Sequence, residues 1–316
     1  MNSRHLVDPE MQPMIDMVPS ISFTPELLAV VRQRSVQLAA PDHDVTSPVD
    51  TTSTTVPGPP GAPDIRVVVS RPRDVAPGAL PAVLFVHGGG FVLGTPEQFQ
   101  PLVDEIVLAT PAVVVSVDYR LAPETRHPGP LLDCVAALDW IRNHVDELGI
   151  DDQRIAVVGE SAGGGLATAL ALHVRGDDTP PLRFLGLIYP MLDDRTIESN
   201  ENQNPMTGEF IWTRTSNTFG WSALLGDEPA DRASSPLAAA ARARDVNGMP
   251  PTFIAVGALD LFVDEDIAFA QLLIRSGIAT ELHVHPGGVH GYIGLPDARI
   301  ARTTRADLID ALQRTV

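Results

Sequence analysis

"VVGESAGGG", Val157 to Gly165, is the stretch that decides the fold. Strand-like "RIAVVG" (154–159) runs into it, and the small, apolar, helix-forming run "SAGGGLATALALHVR" follows from Ser161. Gly159 to Gly163 is a G-x-S-x-G set between strand and helix. At such a junction the serine turns sharply on a strained backbone, which lifts its hydroxyl above the sheet. A Cβ at 159 or 163 would clash where strand and helix approach. The chain has 25 glycines, so the pattern can arise by chance, and its weight comes from this setting.

Working outward, apolar strand-like runs alternate with helical patterns. The strands are expected at 65–70, 82–87, 112–119, 154–159, 184–189, 251–257 and 279–285. Helical patterns lie between most of them, and "DARIARTTRADLIDALQRT" closes the chain. Continuous Val- and Ile-rich strands separated by helices predict an α/β fold, a mostly parallel central sheet flanked by helices on both faces. Before it, "TPELLAVVRQRSVQLAA" from Thr24 reads as a helix, and "TTSTTVPGPPGAP" (51–63) as a turn-rich connector. The segment at about 192–248 exceeds what one crossover needs and carries Phe210, Trp212, Phe219 and Trp221. Its position predicts a lid over the carboxyl edge of the sheet, where open α/β sheets bind ligands. The expected organisation is a cap and connector over 1–60 and a catalytic domain over 61–316, with a cap insertion at about 192–248.

Bulk composition narrows the function. Of 316 residues, 44% are hydrophobic and 20% charged, as in ordinary globular proteins. The net charge of −18 argues against nucleic acid or an anionic membrane surface as partner. No apolar run approaches a membrane span, and "MNSRHLVDPEMQPMIDMV" has acids and prolines where a secretory signal has its apolar core. A cytoplasmic protein is the default. All 22 basic residues are arginine, which excludes Schiff-base lysine chemistry, a P-loop lysine and Ser-x-x-Lys acyl enzymes. The single cysteine, Cys134, rules out an intrachain disulfide and reads as a buried, inert thiol.

A serine hydroxyl is a poor nucleophile at neutral pH and needs a histidine base oriented by a carboxylate. In this fold both follow the serine in sequence, acid before histidine, each just after a strand. Asp260 follows "PTFIAVGAL", and His290 follows "ATELHVHPGGV". Asp264 competes for the acid's role but reads as a helix N-cap. His283 and His285 share one strand face, yet no third metal ligand presents itself, and no metal or other cofactor is expected. His87 and His127 read as structural. The remaining piece is "VLFVHGGGF" (83–91). Three glycines behind a buried strand cost backbone entropy, but they bring bare N–H groups close to a reacting carbonyl. Gly88, Gly89 and Gly90, with the N–H of Ala162, are the expected oxyanion donors.

Together "HGGGF" (87–91), "DYRLAPE" (118–124), "GESAGGGLA" (159–167), "LIYP" (187–190), "GALDLFVDED" (257–266) and "HGY" (290–292) resemble the hormone-sensitive-lipase-like carboxylesterases of the α/β-hydrolase superfamily. The resemblance covers about residues 65–316, with a helical N-terminal cap matched more loosely. It implies Ser161 as nucleophile, Asp260 as acid and His290 as base. It also implies hydrolysis of short- to medium-chain carboxylic esters without a metal, and relatives often form homodimers. Phe91, Phe210, Trp212 and Tyr292 are the expected substrate-pocket residues. Glu160 stands where many relatives have Asp, Tyr292 where Phe is common, and "LDLFVDED" lacks the usual proline. Amide or N-acetyl hydrolysis by the same groups, and a non-catalytic binding protein, are the alternatives.

Overall fold

The computed structural model describes residues 3–18, 23–38, 47–75, 78–176, 180–197, 203–226 and 235–316, the side chains of 34–38 aside. Eight strands form one sheet: β1 (Val49–Val56), β2 (Ile65–Pro72), β3 (Leu80–Val86), β4 (Val113–Asp118), β5 (Ile150–Glu160), β6 (Phe184–Ile188), β7 (Thr252–Gly257) and β8 (Thr280–His285). Their order is β1-β2-β4-β3-β5-β6-β7-β8. β2 pairs antiparallel with both neighbours, and every other pairing is parallel. All seven expected strands are present, and β1 is an addition. Read as connector, "TTSTTV" is instead an edge strand. Threonine is β-branched and suits extended backbone, but only Val49 and Val56 are buried, so no apolar run announces it.

The helices are α1 (Gln12–Met17), α2 (Pro25–Leu38), α3 (Gln100–Ala109), α4 (Gly129–Asn143), α5 (Val145–Leu148), α6 (Ala162–Val174), α7 (Arg214–Leu225), α8 (Val263–Arg275) and α9 (Arg299–Gln313). Strand side chains alternate between two core clusters, as a sheet covered on both sides demands. Leu84, Val86, Ile155 and Val157 face one cluster, with α4, α6, α8 and Trp221 of α7. Val83, Phe85, Ala156 and Val158 face the other, with α3, α9 and Met11 and Met14 near the N-terminus. No helix among the described residues is long and apolar enough to cross a membrane.

Within the 192–248 segment, 198–202 and 227–234 lie outside the described residues, as do Ala39 and Ala40 at the end of the expected N-terminal helix. The stretch "GEFIWTRTSNTFGWSALLG" (208–226) reads from sequence as a helical, aromatic-rich piece, but its helix begins only at Arg214. Gly208 (φ +73°) and Ile211 (φ +60°) keep 208–213 irregular, and Thr213 caps α7 by accepting the Ser216 N–H at 3.3 Å. This irregular stretch carries Trp212 onto Gly90 at the carboxyl edge.

Candidate active site

Between β5 and α6, Ser161 adopts φ +54°, ψ −121°, a left-handed conformation costing about 1–3 kcal/mol for a residue with a Cβ. The turn is held from both sides. The Ser161 N–H donates to the Ile188 carbonyl at 2.9 Å, and its carbonyl accepts the Met191 N–H at 2.9 Å. Crowding forces glycine at 163, because a Cβ there would meet the carbonyl oxygens of Val86 and His87.

The loops after β7 and β8 bring Asp260 and His290 to the same edge. His290 Nε2 lies 2.9 Å from Ser161 Oγ, and its Nδ1 lies 2.8 Å from Asp260 Oδ2. Asp260 Oδ1 accepts the Phe262 N–H at 3.0 Å, which fixes the carboxylate at both oxygens. An ionised carboxylate only accepts, so Nδ1 carries the proton and the Nε2 lone pair faces the serine. All three side chains are buried. Rings surround the imidazole: Tyr189 at 4.7 Å, Phe262 edge-on at 5.2 Å and Trp212 at 6.2 Å. Burial alone would weaken the hold of His290 on a proton. The charge and hydrogen bond of Asp260, with the charge of Glu160 added, outweigh it and raise His290 above the ordinary histidine value.

The glycine run leaves β3 as a tight turn, with the Gly89 carbonyl accepting Val92 N–H at 3.1 Å and Leu93 N–H at 2.9 Å. Gly90 has φ +59°, and a Cβ there would enter the Trp212 ring. Among the described residues the N–H groups of Gly89 and Gly90 find no protein acceptor. Ala162, first residue of α6, has none within its helix. Gly88 differs from the expectation, because its N–H is engaged by the buried Glu160 carboxyl. A basic imidazole facing a strained hydroxyl, beside uncommitted N–H groups, can deprotonate the serine as it attacks a carbonyl carbon and can meet the resulting oxyanion.

Residues 83–294 match the alpha/beta hydrolase fold family. The chain belongs to that family. Carboxylesterase NlhH of Mycobacterium tuberculosis is 34% identical over 290 residues, 91% of this chain and 89% of its own. Ethyl acetate hydrolase of Pseudomonas putida is 31% identical over 226 residues, 70% of this chain and 69% of its own. Among solved structures, bacterial heroin esterase superposes with a TM-score of 0.89 at 36% identity, covering 99% of each chain. Esterase LipW from Mycobacterium marinum gives 0.87 at 31% identity, covering 98% of this chain and 96% of its own. The resemblance to hormone-sensitive-lipase-like carboxylesterases holds.

Of the expected pocket residues, Trp212 alone packs against both Gly90 and the His290 ring. Phe210 is half-buried against the second core cluster. Phe91 and Tyr292 are sealed in the core and support the site from beneath. Phe91 packs on Trp221 at 5.1 Å, and the Tyr292 hydroxyl bonds Thr304 at 2.9 Å. Asp264 is exposed in the first turn of α8, and the cap position belongs to Phe262. His87 is structural: Nδ1 lies 2.8 Å from the Gly88 carbonyl oxygen, and the ring stacks on Tyr119 at 4.3 Å. His283 and His285 take separate partners, Glu281 at 2.7 Å and Thr304 at 2.9 Å. Cys134 is buried, and burial pushes its thiol up. Sequence reasoning missed Arg32 of α2, which donates to the carbonyls of Val92 at 2.7 Å and Ala122 at 2.6 Å beside the glycine turn. One of two arginines in a helix of mixed polarity carries no signal of that reach.

Proposed function

We propose that Ser161 is the nucleophile, His290 the general base and Asp260 its orienting carboxylate. The chain is a carboxylic ester hydrolase of the serine type, like the esterases it matches along nearly its whole length. The observation carrying the assignment is the relay from Ser161 Oγ through both imidazole nitrogens to Asp260, at 2.9 and 2.8 Å. In the forward half, Oγ bonds to the ester carbon as its proton passes to Nε2. The C=O electron pair moves onto oxygen, facing the N–H groups of Gly89, Gly90 and Ala162. The intermediate collapses, the C–O bond to the alcohol breaks, and the Nε2 proton leaves with the alcohol. Water, deprotonated by the freed Nε2, then attacks the acyl-enzyme, and collapse returns the proton to Ser161.

Trp212 against Gly90 and His290 limits the space beside the reacting carbon, which favours short to medium acyl chains. Ser161→Ala should lower kcat on p-nitrophenyl acetate and butyrate by about 10³-fold or more, with an unchanged melting temperature. Activity near wild type would refute the assignment. The N-terminal helices and the described parts of the 192–248 segment serve as the cap over this edge. The single cysteine fits a reducing, cytoplasmic setting, testable by cell fractionation. A homodimer, as in many similar esterases, is testable by light scattering.

A further inference from the structure

Beyond Trp212 lies a cleft of about 520 Å³. Its apolar side is Phe23 and Phe219, whose rings are 5.8 Å apart. Phe23 also lies 6.0 Å from Trp212, and Trp212 lies 6.2 Å from His290. The cleft therefore begins one indole away from the reacting imidazole.

Among the described residues, the charge of its lining runs against the grain of the molecule. The chain carries a net −18, yet the described lining holds no carboxylate and one cation, Arg214, among hydroxyls such as Thr215 and Ser222. Arg214 opens α7 and is half-buried. One guanidinium nitrogen donates to the Thr196 carbonyl at 2.9 Å, and no described carboxylate forms an ion pair with it. Asp264 and Glu265 are near enough to be felt, but neither neutralises it at contact. The Asp264 carboxylate accepts from Asn204 at 3.3 Å. Burial pushes the Glu265 carboxyl toward its neutral form, and its oxygens are taken by Leu192, Asp193 and Thr196. A partly desolvated guanidinium with donors to spare is matched by a planar carboxylate. The aromatic wall between it and the active centre suits the alkyl chain connecting that carboxylate to an ester.

We propose that this cleft is a subsite for a carboxylate at the far end of the acyl chain, so that half-esters of medium-chain dicarboxylic acids are preferred over neutral esters of equal length. The inference rests on the ester-hydrolase reading. Mono-p-nitrophenyl suberate and p-nitrophenyl octanoate, eight carbons each, provide the comparison. The wild type should favour the suberate in kcat/KM. The suberate-to-octanoate ratio should fall about tenfold in Arg214→Gln, mainly through KM, because a charged hydrogen bond is removed. Arg214→Lys, which keeps the charge, should retain much of the preference. Salt at about 0.5 M should reduce the wild-type ratio by screening. A wild type indifferent to the carboxylate, a salt-independent ratio or an unaltered ratio in Arg214→Gln would each overturn the subsite. A wild type that cleaves neither substrate would overturn the hydrolase reading itself.

Discussion

Glu160 fills the variable position of the serine turn, and its buried carboxyl sits directly behind Gly88. Burial raises its affinity for a proton, while the nearby His290 opposes that rise. The Tyr189 hydroxyl faces it without closing a hydrogen bond of ordinary geometry. Glu160 thus has two effects, holding the glycine turn through the Gly88 N–H and adding to the field that raises His290. The sign for activity follows from the general-base task proposed for His290. Only neutral imidazole accepts the serine proton, so kcat/KM should fall about tenfold per pH unit on the acid side. The bend should lie above pH 6.5, where an unperturbed histidine would place it. Glu160→Gln keeps an acceptor for Gly88 and removes the charge, so the bend should move to lower pH. Rates of p-nitrophenyl butyrate hydrolysis from pH 5 to 9 test both statements. A bend unmoved in the variant would show that His290 does not feel Glu160.

At the scale of elements, Glu265 joins α8 to the chain leaving β6. Its Oε1 accepts the N–H groups of Leu192 at 2.7 Å and Asp193 at 3.1 Å, and its Oε2 accepts the Thr196 hydroxyl. Arg242 grips the same stretch through Asp194, at 2.6 and 2.8 Å. Glu265→Ala would strand buried donors and should cost about 2–4 kcal/mol, a melting temperature lower by about 4–12 °C for a chain this size. An unchanged melting temperature would mean these bonds exchange freely with water. Little of this could be read beforehand, because in "DLFVDEDIAF" the acids look like an ordinary acidic first turn. The meeting of Ser161, His290 and Asp260 and most of the sheet were legible, since apolar strands declare themselves and a serine elbow constrains its neighbours to be small. β1 was hidden because an exposed edge strand carries no apolar signature. Phe91 and Tyr292 were misassigned to the pocket because sequence places an aromatic next to a motif without saying which way its ring turns.

For the whole molecule, pH dependence of stability turns on carboxyls that the fold removes from water. Both oxygens of Asp266 are buried without a hydrogen-bond partner among the described residues. Burial first, then the charges of Glu265 and Asp260, push its carboxyl well above the reference 3.8. An acid whose folded affinity exceeds its unfolded one contributes fully to stability only below the unfolded value. As pH climbs, the unfolded chain releases that proton while the fold retains it, and stability drains away until Asp266 itself ionises. With a net charge of −18, general self-repulsion also grows with pH, so the absolute slope does not isolate one residue. The difference between the wild type and Asp266→Asn does, because the remaining carboxyls are common to both. Asparagine cannot ionise, so the variant's melting temperature should sit near or below the wild type's at pH 4 and rise above it by pH 8. A difference that stays constant across that range would mean Asp266 titrates as it does in the unfolded chain, and that its oxygens reach solvent or a partner.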